Sequence, residues 1–222
     1  VHMLGTQYRM HKQIADFPSS VFYHDRLLTD PSVMTRPEPA FYADERFRPF
    51  VFHDICDGEE EIVGRGGIRN SREVQYIRAL FDSLARDFGA SKGAVGFDIG
   101  VMTPYSEQAN ALKSCFQDCG QSVEVATVDG FQGREKDIVI LSCVRAPRRN
   151  GSGEQTKSHG IGFLRAPQRL NVALTRAKTA LWVVGHAQTL SGALANNPNS
   201  VCALWKDFVE YAHRENATIS TS

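Results

Sequence analysis

No stretch of about 18 consecutive apolar residues occurs in the 222-residue chain, and no basic-then-apolar leader opens it. Neither a membrane-spanning helix nor a secretory signal is expected. Cysteine is scarce, with five residues at positions 56, 115, 119, 143 and 202. Their odd number and lack of framework spacing suit a reduced, intracellular protein. Cys115-x-x-x-Cys119 has no second Cys or His pair nearby, and His2, His11, His24 and His53 lack ligand spacing, so no metal site is expected. Cys143 sits in an apolar run and reads as a small buried hydrophobe. Excess charge is missing too: 25 Lys/Arg balance 25 Asp/Glu, so whole-chain charge names no polyanionic partner. There is no internal repeat and no low-complexity tract.

The absent motifs are as restrictive. No Gly-x-x-x-x-Gly-Lys-[Ser/Thr] phosphate loop occurs. Gly64-x-Gly-Gly67 follows charged residues rather than a strand, which excludes a dinucleotide-binding turn. The acidic pair Asp44-Glu45 has no apolar strand before it, so it does not read as a Mg²⁺-binding strand end. Ser19-Ser20 and the cysteines have no base arranged nearby in sequence, which argues against a hydrolase nucleophile.

What is present is an ordinary globular composition, 42% hydrophobic and 23% charged, with its charge unevenly spread. Between Arg134 and Lys178 ten Lys/Arg stand against three acids, while between Glu38 and Glu61 eight acids stand against two arginines. A basic region of this kind suits a nucleotide or nucleic acid. Five apolar runs predict buried strands: Phe50–Ile55, Phe97–Met102, Val123–Thr127, Asp137–Val144 and Ala180–Gly185. The last two are nearly continuous in apolar residues, as in a parallel sheet covered on both faces. Helices are expected from Asn70, read with Glu73 as a capping box, to a stop at Gly89, and over Ser106–Cys119, Ala166–Lys178 and Ser200–Arg214. This alternation predicts a doubly wound α/β fold in one domain over 1–222, with irregular connections at 29–49 and 147–160, the latter expected to be mobile.

Four dense segments follow one another: Leu4-Gly-Thr-Gln-Tyr-Arg-Met-His11, Val101-Met-Thr-Pro-Tyr-x-x-Gln108, Thr127-Val-Asp-x-Phe-Gln-Gly-x-Glu135 and Asn171-Val-Ala-Leu-Thr-Arg-Ala177. Together they resemble the second RecA-like domain of superfamily 1B helicases, over about Leu4 to about Arg214. Gln7-Tyr-Arg-Met10 and Thr103-Pro-Tyr105 point to the nonsense-mediated-decay helicase and senataxin group. Ser142-Cys-Val-Arg-Ala146 and Gly160-Ile-Gly-Phe-Leu164 are closer to senataxin.

The resemblance implies a RecA-like domain that works on ATP and Mg²⁺ together with a first RecA-like domain, which would hold the phosphate loop and the metal ligands. It implies Arg176 as an arginine finger and Arg9 as a second γ-phosphate contact, cationic groups of the kind phosphoryl transfer needs. Tyr8 would flank the adenine, with Gln7 beside it; Gly133 would let the backbone approach the phosphates, and Glu135 would take the ribose hydroxyl. Thr103, Pro104, Tyr105, Thr127 and Val128 would line a groove for single-stranded RNA or DNA, bound without reading bases. Asp129, paired with Arg169, would organise its motif, and Gln132 would couple strand to nucleotide. The implied activity is 5′-to-3′ unwinding by a monomeric protein, nuclear rather than cytoplasmic, with the isolated chain inactive alone. The alternative is a non-catalytic RecA-like module that binds nucleic acid or protein.

Overall fold

The computed structural model describes residues 5–89, 96–119, 123–149, 155–156, 166–192 and 202–221. Six strands form one sheet: β1 (Phe50–Ile55), β2 (Ile99–Thr103), β3 (Val123–Thr127), β4 (Lys136–Ser142), β5 (Ala177–Gly185) and β6 (Thr218–Thr221). Their order is β6-β1-β5-β4-β2-β3, and every pairing is parallel. The main helices are α1 (Lys12–Tyr23), α2 (Ser71–Phe88), α3 (Ser106–Phe116), α4 (Pro167–Leu174), α5 (Ala187–Gly192) and α6 (Cys202–Arg214).

Strand side chains alternate between two cores. Phe50, Phe52, Val139, Leu141, Leu181 and Val183 meet Ile14 and Phe17 of α1, Leu170 of α4, and Trp205 and Phe208 of α6. Val51, Ile138, Ile140, Trp182 and Val184 meet Ile77, Leu80 and Leu84 of α2 and Leu112 of α3. Helices therefore cover both faces, and the domain is a RecA-like α/β fold. Among the described residues no helix is long and apolar enough to cross a membrane.

Several expectations need correction. The third helix ends at Leu174, not Lys178, because Ala177 already pairs with Lys136 in the parallel ladder. The capping box is only half made: Asn70 Oδ1 accepts the Glu73 N–H at 3.1 Å, but Asn70 N–H donates to Gln108 Oε1. The expected strand at Phe97 starts at Ile99 and extends to Thr103, and the helix expected to reach Cys119 stops at Phe116. Short helical turns punctuate 29–49 and put Phe41 and Phe47 into the second core. In 147–160, Arg148–Arg149 pairs antiparallel with Gln155–Thr156; residues 150–154 and 157–160, like Ser200 and Val201 of the expected fourth helix, lie outside the described residues.

Candidate nucleotide site and strand groove

The amino ends of the two central strands gather a cluster of cations. Lys136 N–H donates to the Arg176 carbonyl at 3.1 Å, which sets Glu135 and Arg176 side by side at the starts of β4 and β5. Arg9 arrives from the segment before α1. Its Nε lies 2.7 Å from Glu135 Oε2, and its Nη1 donates to the Thr175 carbonyl at 3.0 Å. Lys178 takes the other carboxylate oxygen at 3.1 Å. Two cations thus pair with one acid, one on each oxygen. Lys178 and then Arg9 hold the Glu135 carboxyl below its ordinary range.

Arg176 folds back onto the end of α4. Its Nε donates to the Val172 carbonyl at 3.0 Å and its Nη2 to Thr175 Oγ1 at 2.9 Å. Helix carbonyls at this terminus carry negative partial charge and favour a cation. Burial, and then the neighbouring Arg9, lower the Arg176 pKa; Glu135 opposes both. Two guanidinium groups held close enough to repel, with one carboxylate shared, form a site suited to an anion.

The loop that carries Arg9 is built on Gln7. Its Oε1 accepts the N–H groups of Arg9 and Met10, and its Nε2 donates to the Met10 carbonyl and to Thr29 Oγ1. The buried Gln7 amide is thus spent on shaping the loop. Tyr8 projects outward, 61% exposed, which rules out a core aromatic. Arg36 donates to the carbonyls of both Tyr8 and Arg9 and fixes the turn between them.

The groove residues lie at the other end of the sheet, at the carboxyl ends of β2 and β3. Thr103 is fully buried, its hydroxyl accepting the Tyr105 N–H and its carbonyl the Val128 N–H. Val128 is 3% exposed, and Pro104 is buried as well. These three are packing positions, so of the five groove residues only Tyr105 and Thr127 present side-chain surface. Strand-end position drew all five into the reading, but burial separates them.

The segment 128–135 joins the two ends. It runs from the carboxyl end of β3 to the amino end of β4 without an α-helix, carried by one short turn, Asp129–Phe131. Asp129 pairs with Arg169 of α4 through two hydrogen bonds of 3.0 and 3.1 Å. Phe131 is fully buried in the first core, Gln132 is exposed, and Gly133 has φ +80°, a conformation glycine adopts freely. Lys178 is the cluster member that the sequence did not disclose. Its signal was the period of two that places Arg176 and Lys178 on one side of an extended chain, but that stretch read as helix. Among the described residues no group of three His, Cys, Asp or Glu side chains is placed to hold a metal.

The family model described as an AAA domain matches residues 1–188. Helicase SEN1 of Saccharomyces cerevisiae is 36% identical over 217 residues, covering 95% of this chain and 9% of that protein. Helicase sen1 of Schizosaccharomyces pombe is 35% identical over 223 residues, covering 95% and 12%. Regulator of nonsense transcripts 1 of Dictyostelium discoideum is 34% identical over 227 residues, covering 99% and 15%. The chain spans 9 to 15% of the length of these three relatives.

Proposed function

The chain belongs to the AAA-domain family and, within it, to the senataxin and nonsense-decay group of superfamily 1B helicases, and on that premise we propose that it is the second motor domain of an ATP-dependent RNA/DNA helicase. In this reading a first RecA-like domain holds ATP and Mg²⁺, and this domain supplies the positive charge that the γ-phosphoryl group needs as its transition state develops. Arg176 is the finger and Arg9 the second contact. Tyr8 lies against the adenine, and Glu135 takes the ribose hydroxyl once it is released from Arg9 and Lys178.

The observation that carries the reading is the meeting of Arg9 and Arg176 on Thr175, one on its carbonyl and one on its hydroxyl. Two segments far apart in sequence bring guanidinium groups to one place, beside Glu135, which pairs with Arg9 and with Lys178. The exposed Tyr8 stands directly before Arg9 in the same turn. Segment 128–135 gives the site a connection to Tyr105 and Thr127, where a single strand would lie. Movement of the strand by one step would then reach Gly133 and Glu135 through a few residues, the coupling a 5′-to-3′ motor requires.

The test is Arg176→Ala in the full-length protein, assayed for ATP hydrolysis with saturating oligo-uridine. Turnover should fall on the order of 10³-fold or more, with strand binding kept. Near-normal turnover would sink the assignment. The 222-residue chain alone, which holds no phosphate loop, should hydrolyse no ATP.

A further inference from the structure

At the carboxyl edge of the sheet the chain leaving β4 makes a sharp, unusual bend. Arg145 N–H donates to the Cys143 carbonyl at 2.8 Å, closing a three-residue turn with Val144 at its centre. Val144 has φ +70°. That conformation is rare in any residue with a side chain, and β-branching makes it rarer still. It persists only where the surroundings hold it.

The surroundings are specific. Val144 N–H donates to both carboxyl oxygens of Glu73, at 2.9 and 3.0 Å, and the Val144 carbonyl accepts Asn70 Nδ2 at 3.1 Å. Both polar atoms of the strained residue are therefore gripped by the first turn of α2. Ser142 Oγ donates to Oε2 of the same carboxyl group at 2.5 Å and accepts from Gln108 Nε2 at 2.9 Å. Gln108 closes the ring by accepting the Asn70 N–H at 2.8 Å and donating to its carbonyl at 3.2 Å. Glu73, Asn70, Gln108 and Ser142 are each fully buried. Among the described residues every hydrogen-bond donor that reaches Glu73 is uncharged.

Gln108 lies in the first turn of α3, just after Tyr105, and Met102 of β2 pairs with Leu141 of β4. The ring thus ties the turn carrying Tyr105 to the bend at Val144, across neighbouring strand ends. A hydrophobic side chain at this position would leave the buried Val144 N–H and Ser142 hydroxyl without their acceptor.

We propose that Glu73 is a positioning residue for the strand groove: by clamping the Val144 turn through its two oxygens, and the Tyr105 turn through Ser142 and Gln108, it fixes the surface on which a single strand lies. This rests on the reading of Tyr105 and Thr127 as groove residues. Glu73 does not touch the strand.

The test is binding of fluorescent oligo-uridine to the full-length protein without nucleotide, followed by anisotropy. Glu73→Leu keeps the volume and removes both acceptors; its Kd should rise about tenfold or more, the scale of one lost strong hydrogen bond. Glu73→Gln keeps an oxygen for Val144 N–H and an N–H for Ser142, and should bind within about twofold of the parent on the same scale. Adding Val144→Gly to Glu73→Leu removes the steric need for the clamp and should recover most of the lost affinity. Unchanged binding by Glu73→Leu overturns the proposal, as does Glu73→Gln binding as weakly as Glu73→Leu, or no recovery with Val144→Gly. Should Glu73→Leu not fold, Asn70→Ser keeps the cap oxygen and deletes the amide that donates to the Val144 carbonyl and, at 3.4 Å, to Glu73 Oε1; it should weaken binding several-fold, and unaltered affinity overturns the proposal equally. Tyr105→Ala separates the two readings. If it weakens binding while Glu73→Leu does not, only the clamp falls; if it binds normally, the groove and the clamp fall together.

Discussion

Arg9 and Arg176 both anchor on Thr175, and Glu135 lies within 2.7 Å of the first. Glu135 pairs with Arg9 on one oxygen and with Lys178 on the other. All three side chains are more than a third exposed, which limits what the pairs add to stability.

That separation gives the first prediction. Glu135→Ala should change the unfolding free energy by about 1 kcal/mol or less. Its melting temperature should stay within roughly 4 °C of the parent. In the full-length protein the ATP concentration for half-maximal turnover should rise about tenfold, the worth of one hydrogen bond to a charged group. Thermal melts and ATP titrations on the same preparations check both halves. A large stability loss would mean that the carboxylate is structural.

Tyr8 allows a cleaner version of the same split. With 61% of its surface exposed, the ring adds little to the core. Tyr8→Ala should melt with the parent yet need several-fold more ATP, since an aromatic contact contributes about 0.5–1.5 kcal/mol. Tyr8→Phe should titrate like the parent, because the face of the ring and not its hydroxyl would meet the base. Equal weakening in both variants would assign the effect to the hydroxyl instead.

Much of this was legible in the sequence because strands buried on both faces leave long apolar runs, and β4 and β5 have such runs. Helix α1 was not legible: Pro18 and the Ser19-Ser20 pair break its apolar spacing, and tertiary packing, including Phe17 on Phe208 and Tyr211, secures it. Glu73 was read as half of a capping box, a local motif, whereas its carboxyl is claimed by Ser142 at the end of β4 and by Val144 in the bend beyond it. Thr103 and Val128 carried the right motif but the wrong exposure, since residue type cannot say which side of a strand end faces solvent. Arg176 was read on a helix, whereas it stands between the end of α4 at Leu174 and the start of β5 at Ala177.

Two buried titratable groups give the chain opposing pH dependences. Burial pushes the Glu73 carboxyl up from its ordinary 4.5 to about 8, against the opposing donors Ser142 and Val144. The folded state then holds an extra proton between those values, so this contribution is full below 4.5 and is lost as pH rises towards 8. Burial pulls His53 down from 6.5 to about 3, so its contribution is full above 6.5 and is lost as pH falls. The two slopes offset between 4.5 and 6.5, and from 6.5 to 8 the Glu73 slope should stand alone. Melts of the parent should therefore fall over that upper window, and Glu73→Gln should flatten the fall. His53→Asn, which keeps a partner for Tyr76, should ease the acid limb only.

The last prediction concerns how segment 128–135 is held. Phe131 is fully buried, and it packs where Gly100 of β2 has no side chain. A Cβ at Gly100 would sit 2.5 Å from Phe131 Cζ and 2.9 Å from Lys136 Cγ. Lys136 can swing its stem aside, but the phenyl ring has no free volume in the core to move into. Gly100→Ala should therefore cost about 1–3 kcal/mol through overpacking. Phe131→Leu alone should also destabilise, by leaving a void. In the double variant the smaller side chain makes room for the new methyl, so the two costs should fall short of their sum by about 0.5 kcal/mol or more, as expected of residues in contact. Denaturant unfolding of the four proteins measures this. Because Phe131 lies between Thr127 and Glu135, Gly100→Ala should also reduce strand-stimulated turnover in the full-length protein more than basal turnover. Strict additivity would show that the ring is not what yields, and that the 128–135 segment is held by something other than its grip on β2.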